Sequence, residues 1–77
     1  MGAERSELVG QVMQAVEELI PSRRPVVRMY LNGYGPTEIA RLLGWSEPKA
    51  RNLVYRGLAD LRELLAARGI GPEVLGD

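Results

Sequence analysis

The stretch TEIARLLGWSEPKARNLVYR, from Thr37 to Arg56, reads as two helices joined by a tight turn. In the first helix Ile39, Ala40, Leu42 and Leu43 supply an apolar face. Gly44 stands where a helix stops most easily, because a left-handed residue there lets the last carbonyls find partners. Ser46 is suited to cap the next helix, and Pro48 falls in its first turn, where a missing N–H loses nothing. Beyond it Ala50, Leu53, Val54, Gly57, Leu58 and Leu61 recur at steps of three and four, the spacing of a buried helical face. Lys49, Arg51, Asn52, Tyr55 and Arg56 are left for the other face. A short helix, a Gly-containing turn and a second helix with a basic, hydrogen-bonding start describe a helix-turn-helix that reads DNA. The plainer alternative is a helical hairpin whose polar face is merely solvated.

The 77 residues make one domain at most, near the lower limit for a hydrophobic core that stands unaided. Cysteine and histidine are both absent, so no disulfide or metal site is expected to staple the fold, and the commonest general base is missing. No cofactor is implied. No apolar run approaches a membrane span and no signal-peptide pattern opens the chain, so a cytoplasmic location is the default expectation. The net charge is zero, but its distribution is uneven. Between Arg23 and Arg56 seven basic residues face two acidic ones, a surplus of five that the rest of the chain must balance. Attraction to phosphates is screened over about 8 Å at physiological salt, so the local surplus matters more than the total.

Outward from this centre, residues 1–5 read as a flexible start. Ser6 is placed to cap a first helix whose Leu8, Val9, Val12, Met13, Val16, Leu19 and Ile20 share one face, with Pro21 ending it. Ser22 is placed to cap a second, with Arg23, Arg24 and Pro25 in its first turn and Asn32-Gly33 as its stop. Pro36 suits the first position of the third helix. The fourth runs from Glu47 to about Ala67, some 31 Å at 1.5 Å per residue. That exceeds what recognition needs, so its second half, with Leu58, Leu61, Leu64 and Leu65, is expected to pack on the first two helices. Gly57 costs about 1 kcal/mol against alanine inside a helix, unless a neighbour needs the space. Gly69-Ile70-Gly71-Pro72 ends the helix, and residues 69–77 read as a loose tail. The expectation is a compact all-α, four-helix monomer over residues 6–68, with a C-terminal helix-turn-helix and no sheet.

Taken together, several of these features resemble region four, the C-terminal promoter-reading domain, of bacterial sigma-70 family factors, most closely the extracytoplasmic-function type. They are Ile20-Pro21 with Arg23-Arg24, Val26-Val27, Tyr30, Gly33, Glu38-Ile39-Ala40 and Leu42-Leu43-Gly44. Ser46, Arg51, Tyr55-Arg56-Gly57 and Leu61-Arg62 continue the pattern. The resemblance implies a domain that docks its last helix in the major groove of the −35 promoter element. It also implies attachment to the flap of the RNA polymerase beta subunit, and often a dedicated anti-sigma partner. By position, Arg51, Asn52, Tyr55 and Arg56 match groove-facing, base-reading residues of the family. Their chemistry agrees: Arg suits guanine, Asn suits adenine, and a Tyr ring can cover a thymine methyl. Thr37, Ser46 and Lys49 are placed for phosphates at helix N-termini, with Arg23, Arg24 and Arg41 as further phosphate candidates. For Tyr30 and Trp45, filling the core or covering the turn outweighs touching DNA.

The chain departs from the family pattern in four places. Leu53 stands where the family usually has Arg, and Leu58 where it often does, which makes the recognition helix less basic. Pro36 replaces a commonly aromatic or polar residue, and Pro48 a small one. The family's region two has no counterpart here, so the expectation is either a fragment of a longer factor or a stand-alone regulator built on the same module. Two alternatives differ in kind. One is a LuxR-type helix-turn-helix regulator, although that family carries Val and His in its recognition helix where this chain has Ala50 and no histidine. The other is a protein-interaction module using the acidic, apolar first helix. An enzyme is not expected, because no nucleophile–base set, carboxylate pair or glycine-rich phosphate loop is present.

Overall fold

The computed structural model describes the backbone of residues 3–71 and the side chains of residues 7–71. Met1-Gly2 and the tail from Pro72 onward lie outside the described residues. Four helices form: α1 Ala3–Glu17, α2 Arg24–Leu31, α3 Pro36–Leu43 and α4 Glu47–Ala67. No strand occurs among the described residues, so the expected all-α architecture is the one present. The longest helix, α4, packs on each of the other three. Its Ala50, Val54, Leu58, Leu61 and Leu65 meet Ala15, Val16 and Leu19, then Val26 and Val27, then Ile39 and Ala40 in one core. Every buried residue of that core is apolar.

The two C-terminal helices begin and end as their residues dictate. Pro36 is the first residue of α3, and the Glu38 carboxylate reaches back to accept from the Gly35 N–H at 3.1 Å, one half of a capping box. Gly44 takes φ +72° after α3, which lets Trp45 N–H donate to the Ala40 carbonyl at 2.8 Å. A side chain at that left-handed position would be strained. The Ser46 hydroxyl caps α4 by accepting from Lys49 N–H, with Pro48 in the first turn. At the far end Gly69 and Ile70 N–H groups return to Ala66 and Leu65 carbonyls, a Schellman closure. There the Arg68 guanidinium donates to Gln11, Gln14 and Glu18, tying the end of α4 to α1.

The first two helices depart from expectation. Ser6 lies inside α1 rather than capping it, since the helix already begins at Ala3. It ends at Glu17, before Ile20, and Leu19 reaches the core from the turn that follows. Ser22 does not cap α2. Residues 21–23 form a turn, and Arg23 occupies the cap position with φ −100° and ψ −18°. A serine cap needs extended backbone, which this near-helical entry does not offer. The apolar stripe of α1 is also less covered than its periodicity implies. Val9, Met13 and Ile20 are about half exposed and Leu8 little less, because α2, only eight residues long, does not reach along the whole of α1. Leu42 and Tyr30 are likewise exposed. Ile39, Ala40 and Leu43 carry the inner side of α3 without Leu42, and Tyr30 lies one turn beyond Val27, the last fully buried residue of α2.

Gly57 explains itself through packing. A Cβ built there would overlap Val27 Cγ2, with Arg23 Cβ and its carbonyl just beyond. Val27 is fully buried and branched at Cβ, so it has no free rotamer to retreat into. The missing side chain is what lets α2 cross α4 at contact distance. Gly57→Ala should therefore destabilise the domain by about 1–3 kcal/mol despite alanine's better helix propensity. Urea unfolding followed by circular dichroism measures this. A stabilised variant would mean that the two helices are free to move apart.

Candidate nucleic-acid interface

The N-terminal half of α4 divides cleanly by side. Ala50, Val54, Gly57 and Leu58 face inward and are buried, whereas Arg51, Asn52, Tyr55 and Arg56 lie exposed along one outward strip. Tyr55 is 56 % exposed, unusual for a large aromatic unless a partner covers it. Asn52 and Arg56 have no side-chain partner among the described residues. Leu58 is a core residue, and Leu53 is half-buried against the same core. An arginine at Leu58 would thus be buried rather than presented to DNA. The loss of basic character there follows from packing.

Thr37, Ser46, Lys49 and Arg41 are all exposed on the two helices of the motif. The first three gather around the turn. The Lys49 ammonium sits 4.4 Å from the centroid of the Trp45 ring, a cation–π contact worth about 0.5–1 kcal/mol at an exposed site. Trp45 is half-buried and packs its inner side on the core, so it covers the turn, as its residue type suggests, and also steadies Lys49. Glu47 bridges the two helices: Thr37 Oγ1 donates to its Oε2 at 3.0 Å and Arg51 Nη2 to its Oε1 at 3.2 Å. Its spacing to Arg51 is the favourable i,i+4 order, readable in the sequence, but the link to Thr37 depends on how the turn folds.

Arg23 and Arg24 do not join this group. Arg23 pairs with Asp60 on the second half of α4, and Arg24 Nε donates to the Leu19 carbonyl at 2.9 Å. Arg28 pairs with Glu17. Two of the seven basic residues in the central segment are thus matched by carboxylates from outside it. The positive surplus around the motif rests on Arg41, Lys49 and Arg56, with Arg51 shared with Glu47. These surface pairs are individually weak, about 0.3–0.5 kcal/mol for the i,i+4 pair of Glu47 and Arg51. They steer side chains more than they stabilise the fold.

A helix-turn-helix whose second helix presents two arginines, an asparagine and a tyrosine outward is the architecture of a DNA-binding domain. Residues 10–61, more than half of the chain, match the family described as Sigma-70, region 4, and the chain belongs to that family. It is therefore a DNA-binding region of the sigma-factor kind, which sets aside the LuxR-type alternative. No curated protein and no solved structure gives a significant match. Among the described residues no helix is long and apolar enough to cross a membrane.

The Ser46 cap decides where α4, and with it the exposed strip, begins. Ser46→Ala should cost about 1 kcal/mol and lower the thermal midpoint by about 4–8 °C for a domain of this size. A melt followed at 222 nm, read alongside the helical signal, reports it. An unchanged midpoint would show that α4 starts without the cap.

Proposed function

We propose that this domain reads the −35 element of promoters through the outward strip of α4, within a sigma factor of the extracytoplasmic-function type. The observation that carries the reading is the division of α4 just described: one side of its first half is entirely core, and the other carries Arg51, Asn52, Tyr55 and Arg56 exposed. Seated in a major groove, that strip offers a bidentate donor for guanine, a donor–acceptor pair for adenine and an aromatic face for a thymine methyl. Thr37, Ser46, Lys49 and Arg41 flank it as phosphate contacts that set register without reading sequence.

The second half of the proposal is docking on RNA polymerase, through the flap of its beta subunit. It is supported by a largely apolar groove of about 400 Å³ between α1 and α2, lined by Leu8, Val9, Val12, Met13 and Leu31 together with Arg28 and Asn32. Covering that surface, an anti-sigma protein would prevent assembly. The modest positive surplus of the motif makes the isolated domain a weak binder. A module with four to six phosphate contacts sits near the non-specific range, about 10⁻⁴–10⁻⁶ M at physiological salt. Tethering to polymerase supplies the remainder as effective concentration.

Fluorescence anisotropy of the chain on a labelled promoter duplex at about 150 mM salt should therefore give micromolar or weaker binding. Arg51→Ala and Arg56→Ala should each weaken it by about 1–3 kcal/mol if the contact is bidentate to a base. Lys49→Ala should weaken every sequence alike and flatten the salt dependence by about one phosphate contact. Equal losses on promoter and random duplexes for Arg51→Ala would make Arg51 a phosphate contact. Nanomolar, sequence-specific binding by the isolated chain would point instead to an autonomous regulator. No salt-dependent retention of DNA at all would favour a protein-interaction module.

A further inference from the structure

We infer that Glu47 is a specificity-determining residue of this surface: its carboxylate, anchored by Thr37, withholds Arg51 from DNA backbone of any sequence and aims it for a base edge. The inference rests on the DNA-reading role proposed above. Both carboxylate oxygens are engaged, Oε2 by Thr37 Oγ1 at 3.0 Å and Oε1 by Arg51 Nη2 at 3.2 Å. Thr37 belongs to α3 and Arg51 to α4, so the acid is held from one helix while it holds the other's arginine. An acid that served only the start of α4 would need neither contact, because its charge favours a helix N-terminus without a partner.

Two consequences follow from the position of this acid. A carboxylate held by Thr37 and Arg51 presents negative charge to every phosphate that approaches the motif, whatever the sequence. It also occupies part of the guanidinium that would otherwise bind those phosphates. The pair is about half exposed, 47 % for Arg51 and 46 % for Glu47, so water screens it and a better partner can displace it. A guanine edge, which takes two parallel N–H donors, is such a partner, and a single phosphate oxygen is a poorer one. Specificity is a difference between two affinities, and a repulsive element that lowers the unwanted one raises it.

The test compares two labelled duplexes. One carries the tightest sequence selected from a randomised pool by the unsubstituted chain, and the other is the same duplex shuffled. Binding is followed by anisotropy across a salt series. Glu47→Gln should tighten binding to the shuffled duplex by about three- to tenfold, the scale of relieving one like-charge repulsion near the surface. Binding to the selected duplex should change less, so the ratio of the two falls. The slope of log K against log salt should steepen by about 0.9, one further phosphate neutralised. A merely structural role for Glu47 would move neither ratio nor slope. Glu47→Asp keeps the charge at the start of α4 but shortens the reach to Arg51, and should lower the ratio in the same direction. It also serves if the glutamine variant fails to fold by circular dichroism. Folded variants with unchanged ratio and slope would overturn the role of Glu47 alone. Failure of the unsubstituted chain to bind either duplex would overturn the DNA reading and this inference with it.

Discussion

The crossing of α2 over α4 at Gly57 is the contact on which the arrangement depends. With Val27 seated where a Cβ would otherwise stand, the two helices approach as closely as their backbones allow. That approach brings Val26 and Val27 into the same core as Val54, Leu58 and Leu61. It also fixes the rotation of α4 about its own axis. Once Gly57 and Leu58 face inward, the 3.6-residue period leaves Asn52, Tyr55 and Arg56 facing outward, with Arg51, seven residues before Leu58, exposed at the flank of the buried side. The proposed reading strip thus depends on how the helix is packed one turn later, and a chain of 77 residues without cysteine obtains it without a disulfide.

The end of α4 proposed to meet DNA is held by polar contacts. Ser46 caps it, Trp45 carries Lys49 on its ring, and Glu47 joins Thr37 to Arg51. Each of these is worth about a kilocalorie per mole or less by the usual magnitudes. Their common effect is to place charged side chains around the turn before any partner arrives. The opposite end is tied differently, by Arg68 reaching across to Gln11 and Gln14 on α1 and to Glu18 just after it. One helix therefore serves two surfaces, with its leucine-rich half as the scaffold against which its polar half is aimed.

Much of this is legible in the residues. Gly44, Ser46 and Pro48 mark the turn and the start of α4 unambiguously, and the leucine spacing gives its buried side and its length. Those signals are local, governed by backbone conformation and periodicity. The N-terminal half is less legible because its outcome depends on neighbours. Ser6 and Ser22 have the chemistry of caps, but α1 already begins at Ala3 and Arg23, in a near-helical conformation, takes the cap position of α2. Val9, Met13, Leu31 and Leu42 have the spacing of core residues, yet short partner helices leave them uncovered. The candidate site shows the same split. The four proposed base-reading residues lie together on one strip, while Arg23 and Arg24 take partners within the fold that sequence separation conceals. The bridge from Thr37 to Glu47 spans ten positions across a turn and has no sequence pattern to announce it.

Amide chemical-shift mapping of the isotopically labelled chain, titrated with a promoter duplex, locates the surface that the DNA covers. Shifts concentrated at Thr37 and from Ser46 to Arg56 are expected, with the α1–α2 groove around Leu8, Val9 and Met13 unmoved. Shifts centred on that groove, or none between Lys49 and Arg56 while the duplex is bound, would contradict DNA recognition by the first half of α4.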